Sequence, residues 1–504
     1  MTVHVVAAMA LLALPAVLPS LAVLGTRPLT VFMIPLVGAV FSAVSAEIES
    51  ALGLTLMNWY LVVTVIANLM SVGWFVRARS ARRNATSQGG EGGPGRAETR
   101  WNWWSVVTLV VMALAVLWPL QALRVPVIAY DGYAIWTLHS LFVYGGHAVL
   151  QSDLTNPAYH FSNPNYPLLI PATGALGFVA EGGTDLRLAS IITAVLNGCA
   201  LAVAGCAIAS IVGPSRPVRA RVVALVAGAC VCLIGFGLGG PYAVGGYADV
   251  LWSASAVGAV LIGLILPPSG RNVLAAWLAA TVAALTKNEG LIAALMIFAL
   301  LAVRHTPWPT RSRSSPEAAP RYGPLRSGWS AWGVRVVFVT VVMSAPSLVW
   351  PLYVNYEGIK SDFVGVSGQS LSLRLHATTT AAWENMHLVP VAMMVALIGG
   401  LVLTGTRRKM SIGSDVWMWT VLAGSLIALF VTYVFGALEI HWWLRTSVNR
   451  TTIFENLALY SDVAVWLAVA AAARPEELRF RSPGWVAGHA GRHRETKLMT
   501  EHSA

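Results

Sequence analysis

Residues 130–171 read YDGYAIWTLHSLFVYGGHAVLQSDLTNPAYHFSNPNYPLLIP, a long polar stretch between apolar runs that is neither basic nor low in complexity. Asp131 follows directly on the run WPLQALRVPVIAY, so its carboxylate is expected where a helix leaves the bilayer. A carboxylate in that position is costly unless it has a partner or a task. Two readings fit. Asp131 can cap the helix DGYAIWTLHS, since Asp is favoured at a helix N-cap, or it can be the general base that takes a proton from an acceptor hydroxyl.

Further polar residues recur at the borders of apolar runs. Asp249 opens a span in GGYADVLWSA, where it is either a helix cap or a member of a site. Lys287 and Glu289 in TKNEG pair with one another, or the lysine meets a phosphate. Arg445 and Arg450 lie in EIHWWLRTSVNRTT, and the planar guanidinium fork suits a phosphate or pyrophosphate. Trp442 and Trp443 fit an interfacial aromatic belt better than a sugar platform. Lys287, Arg445 and Arg450 are the candidates for a phosphate. Tyr130, Trp136, His139, Asn165, Tyr166, Tyr247, Asp249, Glu289 and His441 are the candidates for the remainder of a substrate. Charges at membrane borders usually pair or line a substrate path; here their signs alternate, which leaves both open.

The elements that must position these residues are membrane helices. The chain has 504 residues, 56% hydrophobic and 11% charged, with mean hydropathy +0.67, which excludes a soluble globular protein. Its apolar runs are continuous and do not alternate, so helices are expected and not a β-barrel. The net charge of +11 comes from arginines in short loops, the positive-inside pattern, and nucleic-acid binding is not expected. Cys199, Cys206, Cys230 and Cys232 all fall in apolar runs and read as small core residues, without disulfide or metal. The run Val5 to Leu24 has no Lys or Arg before it and reads as a retained helix.

Spans of roughly 20 residues are expected at 4–25, 30–50, 53–76, 101–123, 187–212, 222–239, 247–266, 331–355, 387–404, 415–436 and 452–473, with two short helices over 273–303 meeting at TKNEG. The total is about 13 helices, N-terminus outside and C-terminus inside. YPLLIPATGALGFVAEG, 166–182, is expected to be a juxtamembrane or re-entrant helix. Counting it as a span would put the arginines at 216, 219 and 221 outside. The expected organisation is an N-terminal three-helix segment over 1–76, a basic Gly-rich cytoplasmic linker over 77–100, a membrane unit over 101–473 and a basic cytoplasmic tail over 474–504. This topology gathers the polar candidates on the extracytoplasmic face.

The order of the segments from 101 to 473 resembles the GT-C fold glycosyltransferases. The carriers are an acidic residue opening the first large outer loop, the amphipathic YAIWTLHSLFVYGG, the YPLLIP helix, LRLASII entering the next span, and the later GYADV, LTKNEG and WLRTSVNR. Within that superfamily the chain is most similar to bacterial mannosyltransferase-like and arabinofuranosyltransferase-like enzymes. The resemblance implies an all-α polytopic bundle with juxtamembrane helices in the first large outer loop, and an inverting transfer with Asp131 as base. It implies a polyprenyl-phosphate-linked sugar donor whose phosphate meets basic residues, a glycan or glycolipid acceptor of the cell envelope, and contact with membrane lipids. His139 stands where related loops often carry a lysine. The residues agree with such chemistry, because a lipid phosphate already leaves well and the protein needs chiefly a base, a cation and positioning. A single carboxylate suffices for an inverting displacement, and no obligatory metal or other cofactor is expected. A lipid-linked glycan ligase or polymerase would carry an arginine-rich late loop, whereas 356–385 holds only Lys360 and Arg374. A transporter or flippase would show internal repeats and midplane charges.

Overall fold

The computed structural model describes residues 2–87, 102–121, 130–145, 154–306, 326–360, 367–386, 391, 394 and 414–473. These are almost entirely helical and include no strand. Ten of the described helices are long and apolar enough to cross a membrane. The span expected at 387–404 lies outside the described residues. Two further expected spans are shorter helices, Asp249–Ile265 and Gly270–Thr286. At about 1.5 Å per residue each falls short of the roughly 30 Å hydrocarbon core, and each has a buried polar residue at one end.

In chain order the helices are α1 (Thr2–Leu24), α2 (Pro28–Leu52), α3 (Leu56–Ser87), α4 (Trp103–Leu120), α5 (Leu138–Gly145), α6 (Leu169–Glu181), α7 (Leu186–Ala209) and α8 (Val218–Gly239). They continue with α9 (Asp249–Val260), α10 (Gly270–Thr286), α11 (Asn288–His305), α12 (Arg326–Tyr356), α13 (Leu371–Asn385), α14 (Ser414–Phe435), α15 (Ile440–Thr451) and α16 (Ile453–Ala472). α6 has 13 residues and does not reach across a bilayer, in line with its expected place outside the set of spans.

The bundle centres on α7 and α9, which are buried almost all round. Both are rich in Ala, Gly and Ser, and small residues let helices approach closely where lipid gives no hydrophobic drive. At the α7–α8 crossing a Cβ on Gly228 would lie 2.4 Å from the carbonyl oxygen of Gly205. The first two helices pack directly on α6 and α7, and one apolar core runs from Ala8 to Val469. Cys199, Cys206 and Cys232 are buried as expected, but Cys230 is exposed because it falls on the outward face of α8.

Contacts between helix ends follow the two sides expected from charge. Arg27 binds Asn272 (2.8 Å), Arg216 binds the carbonyl of Ala472 (3.2 Å), and Arg304 binds that of Leu266 (3.1 Å). On the other side His4 meets Glu181 (3.3 Å) and Tyr353 donates to the carbonyl of Ser50 (3.0 Å).

Candidate functional site

A cavity of about 810 Å³ opens on the second of these sides, lined by segments far apart in the chain. Four local features build it. Residues 132–137 form a π-helical turn ahead of α5, and Asp131 makes no capping bond, so its side chain is free to point elsewhere. Asn163 takes a left-handed conformation (φ 53°) in the NPNYP turn, and Tyr166 donates its N–H to the Asn163 carbonyl at 3.0 Å. Lys287 is extended (φ −157°, ψ 153°) between α10 and α11, which breaks the apolar run at TKNEG into a hairpin. α15 ends at Thr451, and the single residue Thr452 separates it from α16.

These breaks bring the charged residues into one chain of contacts. Arg450 Nη1 lies 2.5 Å from Asp131 Oδ2 and 3.9 Å from Asp249 Oδ2. Lys287 Nζ lies 2.7 Å from Asp249 Oδ1 and 3.2 Å from Glu289 Oε1. The Asp249 and Lys287 side chains are only 2% and 8% exposed. Burial works against the Lys287 charge, but Asp249 and Glu289 outweigh it and hold its pKa well above the usual lysine range. Aromatic rings surround the cations: Arg450 lies 4.8 Å from the Tyr247 ring centroid and 5.6 Å from that of Tyr242, and Lys287 lies 5.9 Å from that of Tyr166. Tyr166 stacks on Trp136 (5.2 Å, interplanar 7°), and burial followed by the charge of Glu289 raises its hydroxyl pKa. The Tyr247 hydroxyl accepts the backbone N–H of Asp131 at 3.2 Å, which fixes the start of the π turn.

Capping therefore accounts for neither acid: Asp131 and Asp249 are both held by cations. Lys287 does pair with Glu289, but Asp249 is the nearer partner. Of the phosphate candidates, Lys287 and Arg450 are already engaged by carboxylates. Arg445 lines the cavity, is exposed, and has no hydrogen-bond or ion-pair partner among the described residues. Tyr130, Trp136, Asn165, Tyr166, Tyr247 and Glu289 also line the cavity, as do Trp442 and Trp443.

Two candidates lie elsewhere. His139 is buried, with Nε2 2.9 Å from the Ser162 hydroxyl, and desolvation takes its pKa down to about 3. It falls on the face of α5 turned into the core. His441 is exposed in the first turn of α15 and is not part of the cavity wall.

The sequence reading missed Trp252, Ser425, Tyr433 and Glu455, which line the cavity from α9, α14 and α16. An acid inside the apolar run IFENLALYSD was a signal for Glu455, and Trp252 lies three residues after Asp249 on the same helix face. Nothing distinguished Ser425 from any other serine in a span. The 356–385 segment, expected as a loop, contains α13. Its Arg374 is buried and donates to the carbonyls of Tyr433, Val434 (2.8 Å) and Leu438 (2.8 Å), tying α13 to the end of α14. Among the described residues no three His, Cys, Asp or Glu side chains are grouped as metal ligands would be. Comparison with protein-family models, curated proteins and solved structures finds no match for the chain.

Proposed function

We propose that this chain is an integral membrane glycosyltransferase that moves a sugar from a polyprenyl-phosphate donor to a hydroxyl of a cell-envelope glycan or glycolipid on the extracytoplasmic face. The observation that carries the reading is the meeting of Asp131 with Arg450 at the wall of a cavity that also holds Lys287, aromatic rings and the free Arg445. A positioned carboxylate, cations for a departing phosphate and a partly enclosed space are what an inverting displacement on a lipid phosphate sugar needs.

In the resting arrangement Asp131 is occupied by Arg450. A donor phosphate entering beside Arg445 competes for the Arg450 guanidinium, and as Arg450 turns to it the carboxylate is released. The acceptor hydroxyl then gives its proton to Asp131, its oxygen bonds to the anomeric carbon, and the bond from that carbon to the phosphate oxygen breaks. The electron pair leaves with the polyprenyl phosphate, next to the arginines.

The test is transfer from a panel of radiolabelled polyprenyl-phosphate sugars by membranes containing the wild-type chain or Asp131→Asn. The expected outcome is transfer from at least one donor by wild type and a loss of about 10²–10⁴ in the variant with donor binding retained. No turnover of any donor, or a variant equal to wild type, removes the assignment.

A further inference from the structure

The charged chain does not account for every polar atom around the cavity. Glu455 Oε2, Glu289 Oε2, Asn165 Oδ1, Trp252 Nε1 and Arg450 Nε belong to lining residues and are buried without a hydrogen-bond partner among the described residues. Glu455 is 1% exposed, and its other oxygen accepts from the Ser425 hydroxyl at 2.7 Å. The Glu455 and Glu289 side chains both line the cavity. A buried polar atom left unpaired is costly, so several around one cavity mark a site built to be filled.

The unpaired set is mixed in kind. The three carboxylate or amide oxygens accept, while the Trp252 and Arg450 N–H groups donate. An ammonium only donates and would leave those two N–H groups unserved; an anion only accepts and would face two glutamates. A hydroxyl does both. We propose that Glu455, Ser425, Trp252 and Glu289 form a polyol subsite that holds the hydroxyls of the donor's sugar while its phosphate lies towards Arg445. This rests on the donor reading above and adds where the sugar sits and which residues select it.

The experiment compares two affinities within each protein preparation. Purified full-length chain is titrated with decaprenyl phosphate and with decaprenyl phosphate carrying an arabinosyl or mannosyl group, for wild type, Glu455→Leu and Trp252→Phe. Taking the ratio within one preparation cancels any inactive fraction, so a folding defect does not mimic the result. Wild type is expected to bind at least one sugar-bearing lipid about tenfold or more tighter than the bare lipid. In both variants that ratio falls towards one while bare-lipid affinity is unchanged. Equal affinity of wild type for all the lipids, or a ratio that survives in both variants, overturns the subsite and leaves the donor reading standing. Failure of wild type to bind any of these lipids overturns the donor reading and the subsite with it.

Discussion

Arg450 is the cation shared by two carboxylates, so the pair it makes with Asp131 should be measurable as a coupling energy. A charge-assisted hydrogen bond contributes roughly 1.5–3 kcal/mol. The Asp131 side chain is 24% exposed and that of Arg450 13%, so solvent screening places the pair in the lower half of that range, about 2 kcal/mol. Arg450 also lies over Tyr247 and Tyr242, each contact worth ~0.5–1 kcal/mol. Asp249 loses little when Arg450 is removed, because Lys287 remains 2.7 Å away. Asp131→Asn is thus expected to cost about 2 kcal/mol and Arg450→Gln about 3–4 kcal/mol. The double variant should cost nearly the same as Arg450→Gln alone, a coupling of about 2 kcal/mol. Equilibrium unfolding in mixed detergent and dodecyl sulfate micelles, followed by tryptophan fluorescence, gives all four corners of the cycle. Costs that add to within ~0.5 kcal/mol would show that the pair contributes nothing and would refute the reasoning.

Three further expectations follow from particular contacts. His139 is neutral in the folded chain, with a pKa near 3 against an ordinary value of 6.5, so the unfolded state binds the extra proton and stability falls as pH drops from about 6.5 towards 3. His139→Gln should flatten that slope by up to ~1.4 kcal/mol per pH unit, and an unchanged slope between pH 7 and 5 rejects the assignment. A Cβ on Gly290 would lie 2.1 Å from the Ala283 carbonyl oxygen and 3.1 Å from Trp252, so Gly290→Ala must spread α11 from α10 next to the TKNEG turn. It should lose about 1–3 kcal/mol and weaken donor binding, whereas Gly237→Ala, with nothing within 4 Å, should be silent in both measurements. Arg374→Met leaves buried carbonyls at the end of α14 unpaired and should expose residues 367–386 to limited proteolysis; a digestion pattern identical to wild type would show that the clamp is not needed.

The helical membrane architecture was legible because continuous apolar runs in a chain this hydrophobic have no other way to satisfy their backbone. The hairpin at TKNEG was legible for the same reason: a run too long for one span, interrupted by Lys287, Asn288 and Glu289, has to turn there. That Asp131, Asp249, Lys287 and Arg450 fall on one side followed from placing the basic loops opposite. Their partners did not follow. Which carboxylate meets which cation depends on side-chain geometry between helices hundreds of residues apart, and local spacing suggested only the adjacent Lys287–Glu289 pair. His139 was misplaced because a polar residue on a short helix can face either way, and the Ser162 hydroxyl that draws it into the core lies in a different segment. Ser425 carries no signal of its own because its role comes from the neighbours the fold supplies, and Trp252 could be found only through its place one turn after Asp249.

The signs of three of the charges agree with the ends of the helices that carry them. Asp249 is the first residue of α9 and Glu289 lies in the first turn of α11, where the helix presents unpaired N–H groups and a partial positive charge. Arg450 lies in the last turn of α15, where carbonyls present a partial negative charge, whereas Lys287 sits at the junction where α10 ends and α11 begins, so the two helix dipoles oppose one another there. Asp249, Glu289 and Arg450 are therefore each favoured by about 0.3–1 kcal/mol before they meet a partner, and the same helix breaks bring them together with Lys287. A continuous helix could not do this, since its interior carries no net terminal charge and its side chains reach only the adjacent faces. The short helices α9 and α10 are too brief to span a bilayer for the same reason that they are useful: their ends stop at the level of the cavity. A ligand entering there meets charges already oriented by backbone dipoles, so little reorganisation is needed when new charge develops.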